Sequence, residues 1–154
     1  MLSNYMQRFI KYNEKLIDQG ELFRLLCRCR RDARSELSTV WAECGIEDQS
    51  RRKPKVITDG EAFQDILDDI MNNKLGIKTA SRSYSTGPGM THTYQYVEFL
   101  SASGDAFEIE QSVCDELDKL NVWYDYVEVQ DYLAFDYKTN KSYKTNKLVV
   151  KMHD

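Results

Sequence analysis

His92 is the side chain best suited by type to acid–base chemistry, because an imidazole exchanges protons near neutral pH. It follows the Gly-Pro-Gly segment at residues 87–89, which is typical of a hairpin turn, so we expect the ring to be exposed. No recognisable spacing places a serine or cysteine against it. The other histidine, His153, stands at the penultimate position, where we expect it to be frayed. The sequence therefore predicts no catalytic residue.

Metal chemistry would need clustered carboxylates or thiolates. Asp65, Asp68 and Asp69 share one face of a predicted helix, but that face lies opposite its apolar residues, on the ordinary solvent side. Asp125 and Asp131 would approach each other only if the strands around them pair. The four cysteines include one C-x-C pair and no second pair, which favours reduced, packed thiols over a zinc site. We expect no metal and no cofactor.

Formal charge is strongly segregated along the chain. Residues 98–136 hold 11 acidic residues against Lys119 alone, a net charge of −10, whereas residues 137–154 hold five lysines and one acid. Like charges repel one another in a folded region, so such a run calls for an explanation. One explanation is a solvated helix face and strand edges, offset by the basic ends of the chain. The other is a surface that docks on a basic partner.

Aromatic residues interleave with these acids, and tyrosine and tryptophan suit interfaces because they bury area with few rotamers to order. An acidic surface of this kind could compete for the nucleic-acid site of another protein, since such sites are basic. The predicted partner-binding residues are Tyr124, Asp125, Tyr126, Glu128, Asp131, Tyr132 and Asp136.

A basic feature lies on the predicted second helix. Arg24, Arg28 and Arg31 are spaced i, i+4 and i+7, which predicts a basic patch able to hold phosphates or carboxylates. The alternative is a solvated face paired with local acids. The patch could also dock on the acidic half of the same protein or of a second copy, and the latter keeps a homo-oligomer open.

Two parts are predicted to position these residues. Apolar residues at helical spacing indicate helices over residues 3–19 and 21–44, which form a helical hairpin within residues 1–48. A basic joint that contains proline, at residues 49–55, indicates a linker. An α+β body follows over residues 56–154, and we expect both parts to pack together as one compact unit.

The body is predicted to contain strands and helices in the order β-α-β-β-α-β, followed by extra C-terminal strands. This order is the split-βαβ, ferredoxin-like arrangement, in which two helices cover one face of an antiparallel sheet. A T-x-x-E capping box at Thr58 and Glu61 starts the first helix. Residues 137–147, which contain Tyr-Lys-Thr-Asn-Lys twice, are predicted to form a polar hairpin loop. The predicted strands cover residues 56–57, 77–84, 91–100, 122–130, 132–138 and 148–152, and the helices residues 61–73 and 105–120.

Residues 92–99, His-Thr-Tyr-Gln-Tyr-Val-Glu-Phe, resemble the third-strand signature of RNA recognition motifs. Tyr94, Tyr96, Val97 and Phe99 stand at matching positions, whereas threonine and glutamine replace the small residues of that family. The resemblance implies that Tyr94 and Tyr96 stack on the bases of single-stranded RNA. Strand alternation places these tyrosines on one face and Val97 with Phe99 on the other, buried face.

The sequence thus favours a non-enzymatic binding or inhibitory protein that docks an acidic, Tyr-rich surface on a basic site of a partner protein. A single-stranded RNA-binding module is the alternative, and a small hydrolase or nuclease using His92 or a carboxylate pair is the third hypothesis. No apolar run reaches the roughly 20 residues that span a bilayer, and no signal peptide is evident. We therefore expect a cytoplasmic protein without a membrane partner. The composition is rich in Tyr, Lys, Asn and Ile and contains only 2 Pro, which is typical of an AT-rich genome such as that of a large bacteriophage. A phage protein of this kind would act on a host factor in the bacterial cytoplasm.

Overall fold

Two units make up the chain, Met1–Pro54 and Lys55–Asp154. The computed structural model describes four stretches of it: residues 1–45, 54–86, 92–100 and 105–153. Most of the expected linker at residues 49–55 and the Gly-Pro-Gly turn at residues 87–89 lie outside the described residues. In the stretches described, no helix is both long and apolar enough to cross a membrane.

Helices build the described part of the first unit. Ser3 caps the first of them by accepting the Met6 N–H at 3.1 Å, and its own N–H and hydroxyl donate to the Glu36 carboxylate at 2.7 and 2.8 Å. These two donors hold the pKa of the Glu36 carboxyl below its usual value. The helices are α1 (Asn4–Tyr12), α2 (Glu14–Gln19), α3 (Leu22–Arg28) and α4 (Arg34–Cys44), with a 3-10 turn at Arg31–Ala33.

The prediction of one continuous helix over residues 21–44 is wrong, because the backbone becomes extended at Cys29 and Arg30, with ψ values of 138° and 143°. A contact from α1 stabilises this break. The Arg30 N–H donates to the Tyr5 hydroxyl at 3.0 Å, and the Arg30 guanidinium lies 5.2 Å from the centre of the Tyr5 ring. A backbone donor that leaves a helix needs another acceptor, and here that acceptor lies 25 residues away in sequence. The spacing of apolar residues within a helix cannot predict a hydrogen bond to a residue so distant in sequence.

Cys29 lies at this break, and burial raises the pKa of its thiol to about 12. Because the thiolate is the nucleophile, we expect iodoacetamide at about pH 8 to alkylate Cys29 more slowly than exposed Cys44 by roughly a hundredfold or more. Peptide mapping after timed alkylation measures both rates. The Cys44→Ser variant should lose the fast reaction, and fast alkylation of Cys29 in the native protein would contradict its buried position.

The second unit combines helices with a four-stranded antiparallel sheet, so the α+β class is confirmed. The strands lie in the order β1-β2-β4-β3, which places the last strand between β2 and β3. The elements are α5 (Gly60–Asp69) with a π-helical turn at Ile70–Lys74, β1 (Thr79–Thr86), β2 (Thr93–Phe99), α6 (Ala106–Lys119), β3 (Tyr124–Asp136) and β4 (Lys141–Met152).

Local sequence explains where the two helices of this unit begin. The Asp59 carboxylate accepts the Glu61 N–H at 3.0 Å, so the cap of α5 is one residue later than the capping box predicted at Thr58. The Asp105 carboxylate accepts the Glu108 N–H at 2.9 Å at the start of α6. Each carboxylate satisfies a backbone donor that has no partner within its helix.

The expected first strand at residues 56–57 does not form. In this region Lys55 alone makes an isolated bridge, which pairs it with Val122 in parallel orientation. A strand of the two residues 56–57 is too short to compete with the 12 residues of β4 for the place beside β2. The sheet therefore takes its inner strand from the C-terminal end of the chain.

The strands β3 and β4 are longer than predicted. Residues 124–136 form one strand instead of two, and residues 141–147 belong to β4 instead of a polar loop. The turn between them is short because the Asp136 carboxylate accepts the Lys138 N–H at 2.9 Å and Asn140 adopts a left-handed φ of 57°. The chain can then pair Lys141 directly with Asp136.

The sheet has two chemically different faces. Helices α5 and α6 pack against one of them, where Arg82 of β1 reaches Asp68 of α5 at 2.7 Å. Val97 and Phe99 lie on this helix face with 1% and 0% of their surface exposed, as predicted. We call the opposite face, which carries Tyr94 and Tyr96, the open face.

Candidate binding face

Strand register brings tyrosines, lysines and carboxylates together in rows across the open face. In each row a residue of β2 lies opposite one of β4, which lies opposite one of β3. Beyond these rows Tyr132 of β3 lies opposite Thr145 of β4. The rows are Tyr94, Lys151 and Tyr126; Tyr96, Val149 and Glu128; and Glu98, Lys147 and Gln130.

The tyrosine rings contact one another along and across the strands. The rings of Tyr94 and Tyr96 stack with their centres 6.5 Å apart and their planes 20° from parallel. The Tyr126 ring lies 6.5 Å from that of Tyr94, tilted by 56°, and is itself nearly buried. Tyr94 and Tyr96 are partly exposed. Two neighbouring aromatic rings of β2 are therefore available to a ligand on this face.

A cation already lies between rings of the open face. The Lys147 ammonium is 5.0 Å from the centre of the Tyr96 ring and 4.1 Å from that of Tyr132. Both distances lie within the range over which the negative face of an aromatic ring attracts a cation. The rings of Tyr96 and Tyr132 are thus positioned to hold positive charge.

A second cation-binding group lies at the start of β3. The Asp125 carboxylate accepts from the Lys151 ammonium at 3.3 Å and lies 2.8 Å from Nδ1 of His153. The His153 ring stacks on Trp123, with ring centres 3.9 Å apart and planes 5° from parallel. The prediction of a frayed His153 is therefore wrong. The predicted strand at residues 148–152 directly precedes His153 and could have indicated that this end of the chain is held in the sheet.

Most of the predicted partner-binding residues lie on the open face, but two do not. A β-bulge between Tyr124 and Tyr126 reverses the alternation, so that Tyr124 points into the core with 0% exposure while Tyr126 lies on the open face. The Tyr124 hydroxyl donates to Asp118 of α6 at 2.9 Å, which removes Tyr124 from the contact surface. Asp131 is exposed on the opposite side of β3. The predicted set that shares the open face is Asp125, Tyr126, Glu128, Tyr132 and Asp136.

The acidic segment does not form one continuous surface. Glu110 of α6 is only 1% exposed, and its carboxylate accepts the Val129 N–H at 2.8 Å. Asp105 caps α6 and Asp118 accepts from the Tyr124 hydroxyl. Part of the negative charge thus serves the structure of the second unit, and the carboxylates on the open face are those of Glu98, Asp125, Glu128 and Asp136.

The basic patch predicted on the first unit is not a solvated stripe. Arg24 and Arg28 are 7% and 5% exposed. Their guanidinium carbons lie 5.2 Å from the Phe23 ring centre and 5.8 Å from the Tyr12 ring centre. Arg31 is exposed, but it lies in the 3-10 turn after the helix break. The break removes the i, i+4, i+7 spacing on which the prediction depended.

The groups considered for catalysis and for metal binding lie at several positions of the second unit. His92 is exposed just before β2, and Asp125 and Asp131 lie on opposite sides of β3. On α5, Asp68 and Asp69 each accept from an asparagine amide, and Asp68 also pairs with Arg82. Across the described stretches, no three His, Cys, Asp or Glu side chains are grouped as a metal ion would require.

The chain was also compared with known proteins. No protein-family model, no curated protein and no solved structure matches it.

Proposed function

We propose that this chain is a non-enzymatic binding protein that docks the open face of its sheet on a basic site of a partner protein. The observation that carries the proposal is the position of Lys147 between the rings of Tyr96 and Tyr132. The face binds a cation of its own chain, so its chemistry suits the lysine and arginine side chains of another.

Tyrosines and carboxylates complement each other on such a surface. An arginine can stack its planar guanidinium on a tyrosine ring while its N–H groups donate to a carboxylate. Glu128 lies in the same row as Tyr96, two strands away, and Asp136 lies further along β3 on the same face. Tyrosine also supplies much of the binding energy in protein interfaces. The open face therefore offers a set of contacts for a basic protein site.

Charge reversal on the two sides of β3 tests the proposal. We expect Glu128→Lys to weaken capture of the partner from a bacterial lysate by roughly tenfold or more, because it places a cation opposite the partner's basic site. Asp131→Lys makes the same charge change on the same strand but on the other side, so it should leave capture unchanged. Capture is quantified by mass spectrometry after nuclease treatment, at low and at high salt. Equal capture by the two variants would contradict the proposal.

A single-stranded RNA-binding module is the second candidate, favoured by the stacked, partly exposed rings of Tyr94 and Tyr96. The resemblance to RNA recognition motifs also concerns the order of the strands in the sheet. We infer a split-βαβ arrangement whose first strand is replaced by the C-terminal β4, since β4 lies between β2 and β3, where that arrangement has its first strand. RNA recognition motifs carry stacking aromatics on that strand as well. Here Lys147, Val149 and Lys151 of β4 lie opposite β2 on the open face, so β4 adds no aromatic ring to the stacking surface of Tyr94 and Tyr96.

The two candidates differ in their response to RNA. If the open face binds RNA, a labelled single-stranded oligonucleotide should bind with an affinity that falls as salt rises. Tyr96→Ala should then weaken binding by about 1–3 kcal/mol, the usual contribution of one base stacked on an aromatic ring. If the unmodified protein shows no binding of the oligonucleotide over the titration, RNA binding is eliminated and docking on a protein partner remains the proposal.

A further inference from the structure

The β3–β4 hairpin continues beyond the rest of the sheet as a two-stranded ribbon. Strand β2 pairs with β4 only as far as Phe99 opposite Asn146, whereas β3 stays paired with β4 as far as Lys141. Within the described residues, no strand pairs with the other edge of β4 over residues 141–145, which we call the free edge. The backbone groups of such an edge are a template for a further strand.

A groove of about 470 Å³ lies where β2 ends and the ribbon continues. Leu100 and Leu133 line it and are 59% and 64% exposed, and Lys144 of the free edge lies beside them. Large apolar side chains next to an unpaired strand edge are typical of surfaces that bind an extended segment. The groove can thus receive an apolar side chain of a strand added along the free edge.

The charge of the ribbon selects what can add to it. Lys141 and Lys144 belong to the free edge and Lys138 to the turn, whereas the acids of the ribbon, Asp131 beside the groove and Asp136, lie on β3, on the far side of β4 from an added strand. Lysines along an edge discourage pairing with a second copy of the same edge, because like charges would face each other. They attract a strand that carries carboxylates. Charge complementarity therefore points to an acidic occupant.

We propose that an extended, acidic peptide segment of a partner adds to the free edge as a further antiparallel or parallel strand. Its backbone hydrogen-bonds to β4. Carboxylates on its two faces lie beside Lys141 and Lys144, which point to opposite faces of the ribbon, and one of its apolar side chains enters the groove beside Leu100 and Leu133. This site involves a different part of the sheet from Tyr96 and Glu128. Lys144→Glu should accordingly leave capture through the open face unchanged.

Fluorescence polarisation with a defined probe tests the site. The probe is a labelled peptide of about ten residues that repeats Glu-Glu-Val-Val, so that each face of the strand presents both carboxylates and apolar side chains. We expect it to bind the full chain, and Lys144→Glu to weaken binding by roughly tenfold or more. Lys138→Glu makes the same charge change in the turn, outside the free edge, and should alter the affinity by about threefold or less.

Backbone pairing is tested on the probe itself. Methylating every second peptide nitrogen removes the donors along one edge of the probe strand, and two such probes cover the two edges. Strand addition predicts that one methylated probe loses binding and the other keeps it. The proposal is overturned if no probe binds, if both methylated probes bind like the parent, or if Lys138→Glu weakens binding as much as Lys144→Glu. An oligonucleotide of equal charge that binds as tightly as the peptide would likewise show a polyanion site instead.

Discussion

Replacing Phe99 with alanine is expected to lower the free energy of unfolding by about 3–5 kcal/mol, the usual cost of removing a buried phenylalanine ring. Phe99 is 0% exposed on the helix face of β2, opposite Thr79 of β1 and Asn146 of β4. Its removal leaves a cavity between the sheet and the helices that packed side chains fill only in part. Urea unfolding followed by circular dichroism measures the loss.

Tyr96 provides the matched comparison on the same strand. It points to the open face and is partly exposed, so Tyr96→Ala is expected to cost about 1 kcal/mol or less. The contrast between positions 96 and 99 tests which face of the sheet is the core. Equal losses in the two variants would contradict the assignment of an open face.

The second large effect is expected at Glu110. Its carboxylate is 1% exposed and accepts the Val129 N–H at 2.8 Å, joining α6 to β3. Glu110→Ala removes the acceptor and leaves a backbone donor without its partner in a part-buried site, which costs about 1–3 kcal/mol and more when the lost group is charged. Thermal unfolding of the two proteins side by side measures the change.

Glu110→Gln separates the hydrogen bond from the charge. The glutamine keeps an oxygen acceptor of nearly the same shape, so it should recover at least half of the stability that alanine loses. If glutamine and alanine cost the same, the contact with the Val129 N–H is not what Glu110 contributes. If neither variant loses stability, the buried position of Glu110 is itself contradicted.

Elements determined by local sequence were predicted well. Strand alternation correctly separated Val97 and Phe99 from Tyr94 and Tyr96, because side-chain direction in a regular strand depends only on position. The helices α5 and α6 begin at the capping carboxylates of Asp59 and Asp105, which lie at or next to the predicted helix starts. A cap depends only on residues two or three positions apart, so local sequence is enough to predict it. The α+β class followed from these elements.

Features that depend on distant partners could not be read from the sequence. The break at Cys29 depends on the Tyr5 hydroxyl, and the place of β4 in the sheet depends on its pairing with β2. The bulge near Asp125 places Tyr124 and Tyr126 on opposite faces, although a regular strand would put them on the same one. Local patterns do not encode these contacts. Of the predicted contact residues, Tyr124 and Asp131 lie away from the open face, and partner binding by the other five stays a prediction.

The measurement that tests the docking proposal most directly is the affinity of the captured partner for Tyr96→Ala and Tyr84→Ala. Tyr84 is a matched control, because it is an exposed tyrosine on the helix face of β1, where its ring lies against Gly60. The proposal predicts that Tyr96→Ala weakens binding by roughly tenfold or more, as expected for a tyrosine central to an interface, while Tyr84→Ala leaves it unchanged. Equal affinities for the two variants, or a loss confined to Tyr84→Ala, would contradict docking through the open face.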